Sequence, residues 1–266
     1  SIEEQSQITS YLNKKTQLIN KLLENIKKKM KLLQEKKVSI LYKVITKGIN
    51  SNNKMKINKV EWIEKIPQHW EFKKLKYFSE ITLGKMLTNE NKGGYLLKPY
   101  LRSANIKKNY VDLDSVKKMW FSKNEVSRLL LKKNDLLLVE GGDVGRTAIW
   151  REELDECFIQ NSVNRVRVFG NYRFIFYQSS LYHLMNHYDS LVNRVSFPHL
   201  TKEKLETVNF LFPPHEEQDK IVEYLDDQMQ LIDKSIAIEN ERLKLIKEYK
   251  NSLVSEVISG KFKIVN

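Results

Sequence analysis

Residues 3–46 recur as residues 216–259, displaced by 213 positions without a gap, so that EEQSQITSYLNKKTQLINKLL stands against EEQDKIVEYLDDQMQLIDKSI. Of the 44 aligned positions 17 are identical, among them Glu3/Glu216, Gln5/Gln218, Ile8/Ile221, Tyr11/Tyr224, Leu18/Leu231 and Ile45/Ile258. An ungapped match of that length exceeds what two unrelated helices share, and what one copy folds into the other must fold into as well. Neither copy contains proline or glycine, and each is followed by a glycine, Gly48 or Gly260. The pattern predicts two long helices, each with an ordinary stop signal.

In the second copy Leu225, Met229, Ile232, Ile236, Glu239, Leu243, Ile246, Lys250, Leu253 and Val257 are spaced alternately by four and three. Their equivalents are Leu12, Thr16, Ile19, Leu23, Ile26, Met30, Leu33, Lys37, Ile40 and Val44, and eight of ten are apolar in each copy. That is the seam of a coiled coil. Each rod would be roughly 65 Å long at about 1.5 Å per residue, so its partner should be equally long. The other copy fits that need, in the same molecule or in a second one. Residues 1–47 carry 11 lysines and four acids, net +7, whereas residues 216–260 carry six basic and 11 acidic groups, net −5. Opposite charge favours pairing of unlike rods, while the seam supplies most of the energy. Lys37 and Lys250 interrupt the seam in the same slot, either to fix register or to snorkel to solvent.

Subtracting the rods, the linker and the tail from 266 residues leaves about 150, enough for one globular core. A single cysteine, Cys157, excludes a disulfide scaffold and a cysteine-based zinc site. With no signal peptide and no long apolar run visible, the expected location is cytoplasmic, with no membrane span. The chain opens on Ser1 without an initiator methionine, as expected of a piece of a longer protein. Net charge is +13, and residues 61–215 contribute +6 of it, which points either to nucleic acid or to lysine-rich composition alone.

Five segments follow: a helical spacer over 1–48, a polar linker over 49–58, a globular domain over 59–215, a second spacer over 216–260 and a tail over 261–266. Trp62 and Trp70 flank Pro67 and should fasten the linker to the domain edge. Strands are expected at 78–83, 99–105, 136–140, 147–150 and 163–169, and helices at 122–130 and 173–183. Phe210 to Phe212 reads as extended and is stopped by Pro213 and Pro214, after which Glu216 and Glu217 suit the first turn of a helix. Between two expected strands lies Glu140-Gly141-Gly142-Asp143-Val144-Gly145-Arg146, which lacks the GxxxxGK[ST] pattern of a phosphate-binding loop. His183 and His187 are four apart, but no glutamate completes a zinc-hydrolase motif. No catalytic site or metal site is expected. The fold class is α/β.

Four segments in order, Ile66-Pro67-Gln68-His69-Trp70-Glu71, Tyr100-Leu101-Arg102-Ser103-Ala104-Asn105-Ile106, Asn134 to Leu138 ahead of Gly141 to Ile149, and Phe212-Pro213-Pro214-His215-Glu216-Glu217-Gln218, resemble the specificity subunit of type I DNA restriction-modification systems. The resemblance spans nearly the whole chain. It implies one mixed α/β target recognition domain, similar to the second of such a subunit, on two long helices paired as an antiparallel coiled coil. It implies a non-catalytic chain that reads one half of a bipartite double-stranded DNA target. Its implied partners are adenine methyltransferase subunits and a restriction/translocase subunit. S-adenosylmethionine, ATP and magnesium would belong to those partners, and this chain would hold no cofactor. The pattern departs from the family in lacking a first recognition domain, so the chain would read half a target or pair with a second copy. A stand-alone nucleic-acid-binding module with a coiled-coil dimerisation stalk is the alternative.

Lysines and arginines on loops would neutralise phosphates, and arginine or asparagine would read base edges. The candidates are Lys85, Arg102, Asn105, Lys107, Lys108, Arg146, Asn161, Asn164, Arg194 and His199. Gly84 and Gly145 are expected to let the backbone approach the duplex. Tyr11, Leu18, Tyr224, Leu231 and Ile238 lie off the seam and either dock partner subunits or widen the seam.

Overall fold

The computed structural model describes residues 1–58, 63–191 and 199–261; Trp62 and Arg194 lie outside them. In chain order the elements are α1 (Ile2–Lys47), β1 (Met55–Ile57), β2 (Lys65–Pro67), β3 (Glu71–Lys74), β4 (Ser79–Leu83), β5 (Leu96–Leu101), β6 (Lys117–Phe121) and α2 (Lys123–Leu129). There follow β7 (Leu136–Val139), β8 (Thr147–Ile149), β9 (Phe158–Ile159), β10 (Val163–Val168), α3 (Tyr172–Leu184), α4 (His187–Leu191), α5 (Lys202–Thr207), β11 (Asn209–Phe212) and α6 (His215–Ile258). They divide into two units, Ser1–Ile40 with the chain from Leu225 onward, and Leu41–Tyr224.

In the first unit α1 and α6 run antiparallel, as three side-chain contacts with nearly constant index sums establish: Lys29 to Glu239 at 2.6 Å, Lys37 to Asp233 at 2.5 Å and Lys250 to Asn20 at 2.8 Å. Ile19, Leu253 and Val257 form a buried cluster against which Ile8, Tyr11, Leu12, Leu23 and Ile246 pack. Ile26, Leu225, Met229 and Ile232 are buried, and Thr16, Met30, Leu33, Ile40, Ile236 and Leu243 are half-buried. Val44 is buried within the second unit. Leu18, Leu231 and Ile238 are 59%, 59% and 61% exposed and so lie outside the seam. Gly48 and Gly260 both take positive φ, at 74° and 72°, and close the helices as αL residues.

The second unit is the mixed α/β domain. Its largest sheet is antiparallel, in the order β4-β10-β7-β8, with Val166 opposite both Ile81 and Leu136. A three-stranded sheet, β6-β5-β9, pairs β5 antiparallel to β6 and parallel to β9. The main core lies among these strands and includes Leu101, Phe121, Leu129, Leu137, Val139, Trp150, Phe158 and Val163. Short ladders join β11 to β3 and β1 to β2. Helix α2 starts in a capping box in which Ser122 Oγ accepts from the Glu125 amide and the Glu125 carboxylate accepts from the Ser122 amide. Asn171 caps α3 by accepting from the Phe174 amide at 2.9 Å. Trp70 is fully buried and donates its indole N–H to Glu217 at 2.9 Å.

One expected strand is displaced. The segment assigned to 99–105 is a strand only to Leu101, because Asn105 Oδ1 accepts from the Arg102 amide at 3.1 Å while the Asn105 amide donates to the Arg102 carbonyl at 2.8 Å. Those bonds close a 3-10 turn over Ser103–Asn105.

Candidate nucleic-acid interface

Most of the expected contact residues that are described lie on loops near the C-terminal end of β5, with Asn164 instead on β10. Arg146 ends the glycine-rich loop between β7 and β8, and its guanidinium donates to Asp143 at 2.7 Å and to the Ser103 carbonyl at 2.9 Å. The Ser103 amide in turn donates to Ser162 Oγ at 3.0 Å, and Ser162 donates to the Gln160 side chain at 2.7 Å. The turn after β5, the glycine loop and the β9-to-β10 loop are thus tied together. The Asn161 amide, in the third of these loops, donates to the Lys85 carbonyl at 2.9 Å. Asp143 also meets His183 Nε2 at 2.6 Å, linking the loop to α3. Burial alone would raise the Asp143 carboxyl, but hydrogen bonds and charge from His183 and Arg146 outweigh it and hold it below the usual range.

Beyond that turn a narrow hairpin, closed by a bridge between Ile106 and Val111, carries Lys107, Lys108 and Tyr110. Lys107 pairs with Asp112 at 3.3 Å, Lys108 is exposed, and Tyr110 is 60% exposed. Asn109 at the tip takes a φ of 73°. The Asn109 amide donates back to the Thr147 carbonyl of β8 at 3.4 Å, and the exposed basic and aromatic side chains around it suit a phosphate backbone.

Several of the expected side chains are committed elsewhere. Asn105 is fully buried, with its amide donating to the Asp112 carbonyl at 2.9 Å, and Asn164 is fully buried, donating to the Leu200 carbonyl at 3.0 Å. As placed, neither offers a surface to a base edge. Their amides satisfy backbone carbonyls instead. Lys85 is only 9% exposed at its side chain, where its ammonium meets Glu125 at 2.5 Å and lies 4.9 Å from the Tyr95 ring centre. Arg102 is half-buried, whereas His199 is exposed and bridges to Gly141. Gly84 and Gly145 are required inside the fold rather than toward a duplex. An added Cβ would lie 2.3 Å from the Gln160 carbonyl oxygen at Gly84, and 2.1 Å from Tyr188 Cδ2 at Gly145, where φ is 79°. Asp143 and Ser103, which organise the loops, fall within segments that the sequence marks out and Ser162 does not, but none of the three is a residue type that a search for DNA contacts selects.

Among the described residues no group of three or more His, Cys, Asp or Glu side chains could hold a metal ion. A family model described as the type I restriction modification DNA specificity domain matches residues 67–248. The chain belongs to that family. Two solved structures resemble it in fold. One is a chain from the type I R-M system, described for its complex assembly and conformational transition, with TM-score 0.73 and 17% identity over 97% of this chain and 59% of that one. The other is the HsdS subunit from Thermoanaerobacter tengcongensis, with TM-score 0.55 and 16% identity over 98% of this chain and 59% of that one. The specificity-domain chain thus spans about 59% of the length of either relative. The family match begins at Pro67 and runs through the knitted loops into α6.

Proposed function

We propose that the chain reads one half of a bipartite double-stranded DNA target, as part of a type I restriction-modification specificity subunit in the cytoplasm. It does no chemistry itself. Methyl transfer to adenine and DNA cleavage belong to methyltransferase and restriction/translocase subunits that it positions, and S-adenosylmethionine, ATP and magnesium belong to them as well. The observation that carries this reading is the family match, which covers residues 67–248, from β2 through the domain and well into α6. The basic loops at the end of β5 supply the contact surface, with Lys107 and Lys108 toward phosphates and Arg102, Arg146, Asn161 and His199 as further candidates; Arg194, outside the described residues, stays a candidate from the sequence alone. A second copy of the chain would supply a second reader.

The partner surface is a second apolar stripe on the rods. Tyr224, Leu231, Ile238 and Leu245 recur every seven residues, one position ahead of the seam, and are 37%, 59%, 61% and 53% exposed. Leu18 and Leu32 occupy the equivalent line on α1, at 59% and 55% exposed. A helix with two neighbouring stripes fits a bundle of more than two helices, so helices of the methyltransferase subunits are the proposed occupants.

Sequencing methylated DNA from cells that carry the complete system, with and without this chain, tests the assignment. A bipartite adenine-methylation motif should disappear with the chain, and its persistence would refute the reading. Leu231→Lys with Ile238→Lys should abolish co-purification of the methyltransferase while DNA binding persists. Capture at the wild-type level would remove the stripe from the account.

A further inference from the structure

The candidates described above lie at one end of β5. A surface of different composition runs along β6, from Lys117 opposite Tyr100 to the Leu96 end of β5. The segment from Lys85 to Tyr95 leaves the β9 edge, runs beside β6 where the Trp120 amide donates to the Thr88 carbonyl at 3.1 Å, and returns into β5 at Leu96. Met86 and Leu87 on its outgoing stem are 74% and 51% exposed, and Leu96 and Leu97 on its return are 40% and 48% exposed. Gly93 and Gly94 turn its tip at φ values of 78° and 68°, with open space around both. Asn91 Oδ1 shapes the tip by accepting from the Gly93 amide at 3.0 Å, and Asn89 beside it is exposed.

Charge identifies the occupant. Residues 85–98 and 117–123 contain Lys85, Lys92, Lys98, Lys117, Lys118 and Lys123 against Glu90 alone. Lys85 and Lys98 are held by Glu125 and Glu156, while Lys92, Lys117, Lys118 and Lys123 are exposed. Protein interfaces are depleted of lysine at their centres, whereas a polyanion gains from each one. Exposed apolar side chains between lysines on one projecting loop match the way groove-binding proteins press wedges against base steps. Lysines on an exposed strand can also serve merely to discourage edge-to-edge pairing, and the two roles differ in their salt dependence.

We infer that the Lys85–Tyr95 loop and strand β6 form a second DNA-contacting surface, in which Lys92, Lys117 and Lys118 neutralise phosphates, Met86 and Leu87 press into a groove, and Asn89 meets a base edge. This rests on the proposal that the chain binds duplex DNA. Six residues of β5 separate its Leu96 end from the turn that leads to the Lys107–Tyr110 tip, a strand length of about 20 Å, and Lys118 and Lys117, opposite Pro99 and Tyr100, lie between the two. The two surfaces would then form one track along a half-site.

The test is titration of the 266-residue chain with duplexes carrying the half-site over a range of salt. Lys92→Gln, Lys117→Gln and Lys118→Gln combined should lower the slope of log affinity against log salt by about 2.7, at about 0.9 per lost phosphate contact. Asn89→Ala should relax discrimination at a single position by about five- to a hundredfold. Met86→Ala with Leu87→Ala should weaken binding to every duplex by a similar factor. All these side chains are exposed, and unchanged circular dichroism and Cys157 accessibility would check that folding is intact. If the wild-type chain binds duplex and the triple variant keeps its slope, the inference is overturned while the functional proposal survives. If the wild-type chain binds no duplex at any salt, both fall. Protection of the loop from protease by methyltransferase alone, with an unchanged slope, would overturn the inference in favour of a protein partner.

Discussion

Replacing Gly84 by alanine separates two accounts of that residue. A glycine that lets a duplex approach would lose DNA affinity on substitution and leave folding intact, whereas the geometry requires the reverse. The new Cβ would lie 2.3 Å and 2.4 Å from the Gln160 carbonyl oxygen and carbon and 2.6 Å from the Ile159 oxygen, all backbone atoms that cannot swing away. Restoring van der Waals contact means parting the two segments by about 1 Å. That movement breaks or stretches the bonds from Lys85 N to Ile159 O at 3.0 Å, Asn161 N to Lys85 O at 2.9 Å and Gly84 N to Val163 O at 3.2 Å. At about 1 kcal/mol net for each of two or three such bonds, with about 1–3 kcal/mol for overpacking, the expected loss is about 3–6 kcal/mol. With a urea dependence of about 2 kcal/mol/M the unfolding midpoint would fall by about 2 M. Cys157 gives a local readout: it is 1% exposed, and burial pushes its thiol up to about 12. A thiol reagent reaches it only when the strand opens, so its labelling should accelerate by about a hundredfold or more. An unchanged midpoint and labelling rate, together with lost DNA affinity, would refute the packing account and return Gly84 to the duplex.

The same thiol makes stability depend on pH. Its folded pKa lies above the ordinary value, so the folded state keeps its proton longer; stability is unaffected below about pH 9 and falls by about 1.4 kcal/mol per pH unit between there and about 12. Tyr182 and Tyr188 shift in the same direction, mainly by burial, so the difference between wild type and Cys157→Ala in urea titrations isolates the thiol, and equal slopes would contradict it. Arg165 is 1% exposed and donates to the Arg128 and Leu130 carbonyls at 2.9 and 3.1 Å, to Glu80 at 2.5 Å and to Thr82 at 2.9 Å. Arg165→Ala should cost about 3–5 kcal/mol in denaturant titration, and a loss below about 1 kcal/mol would show that the network is dispensable. One heptad inserted at facing heights of both rods, beside Ile26 and Leu243, adds about 10 Å, or roughly three base pairs. In the complete subunit this should widen the gap of the methylated bipartite target by that amount without altering either half, and an unchanged gap would refute the rod as a ruler.

What could be read from the sequence is set by where its periodicities are strong. The rods declared themselves through a repeat and a seam because a long paired helix must keep one face apolar along its whole length. Strand β7 was visible as a buried apolar run, β4, β8 and β10 through their β-branched residues, and the helix expected at 122–130 is α2. Strand β6 was missed because Lys117 and Lys118 at its start are exposed and look like loop. Strand β9 has only two residues and is defined by its parallel pairing with β5, which no local pattern encodes. At the interface, residue type proved a poor guide to orientation. Asparagine reads adenine well, but it satisfies backbone carbonyls equally well, and Asn105 and Asn164 do the second. The glycines were recognisable as special, yet only three-dimensional neighbours reveal whether the missing Cβ makes room for DNA or for Gln160 and Tyr188.

The polar contacts between the rods carry a further consequence of the repeat. Shifting Lys37 and Asn20 by 213 positions gives Lys250 and Asp233, so the Lys37–Asp233 and Lys250–Asn20 contacts are one interaction made twice about a two-fold axis. The seam therefore does not distinguish unlike rods from like ones, because two first copies would recover a Lys37–Asn20 contact and two second copies a Lys250–Asp233 contact in the same register. Position 239 breaks the symmetry: its equivalent is Ile26, so Lys29 and Arg242, which are also equivalent, both converge on the single carboxylate of Glu239 at 2.6 and 3.1 Å. Those bonds, Lys29's above all, outweigh the effect of desolvation and hold the carboxyl below its usual range. Net charges of +7 and −5 act in the same direction, opposing pairs of like rods. Each of these pairs keeps one exposed partner, so salt screens and weakens it. It follows that the choice of partner rod, unlike the strength of pairing, should be lost progressively as ionic strength rises, and Glu239→Leu should remove part of that choice even at low salt.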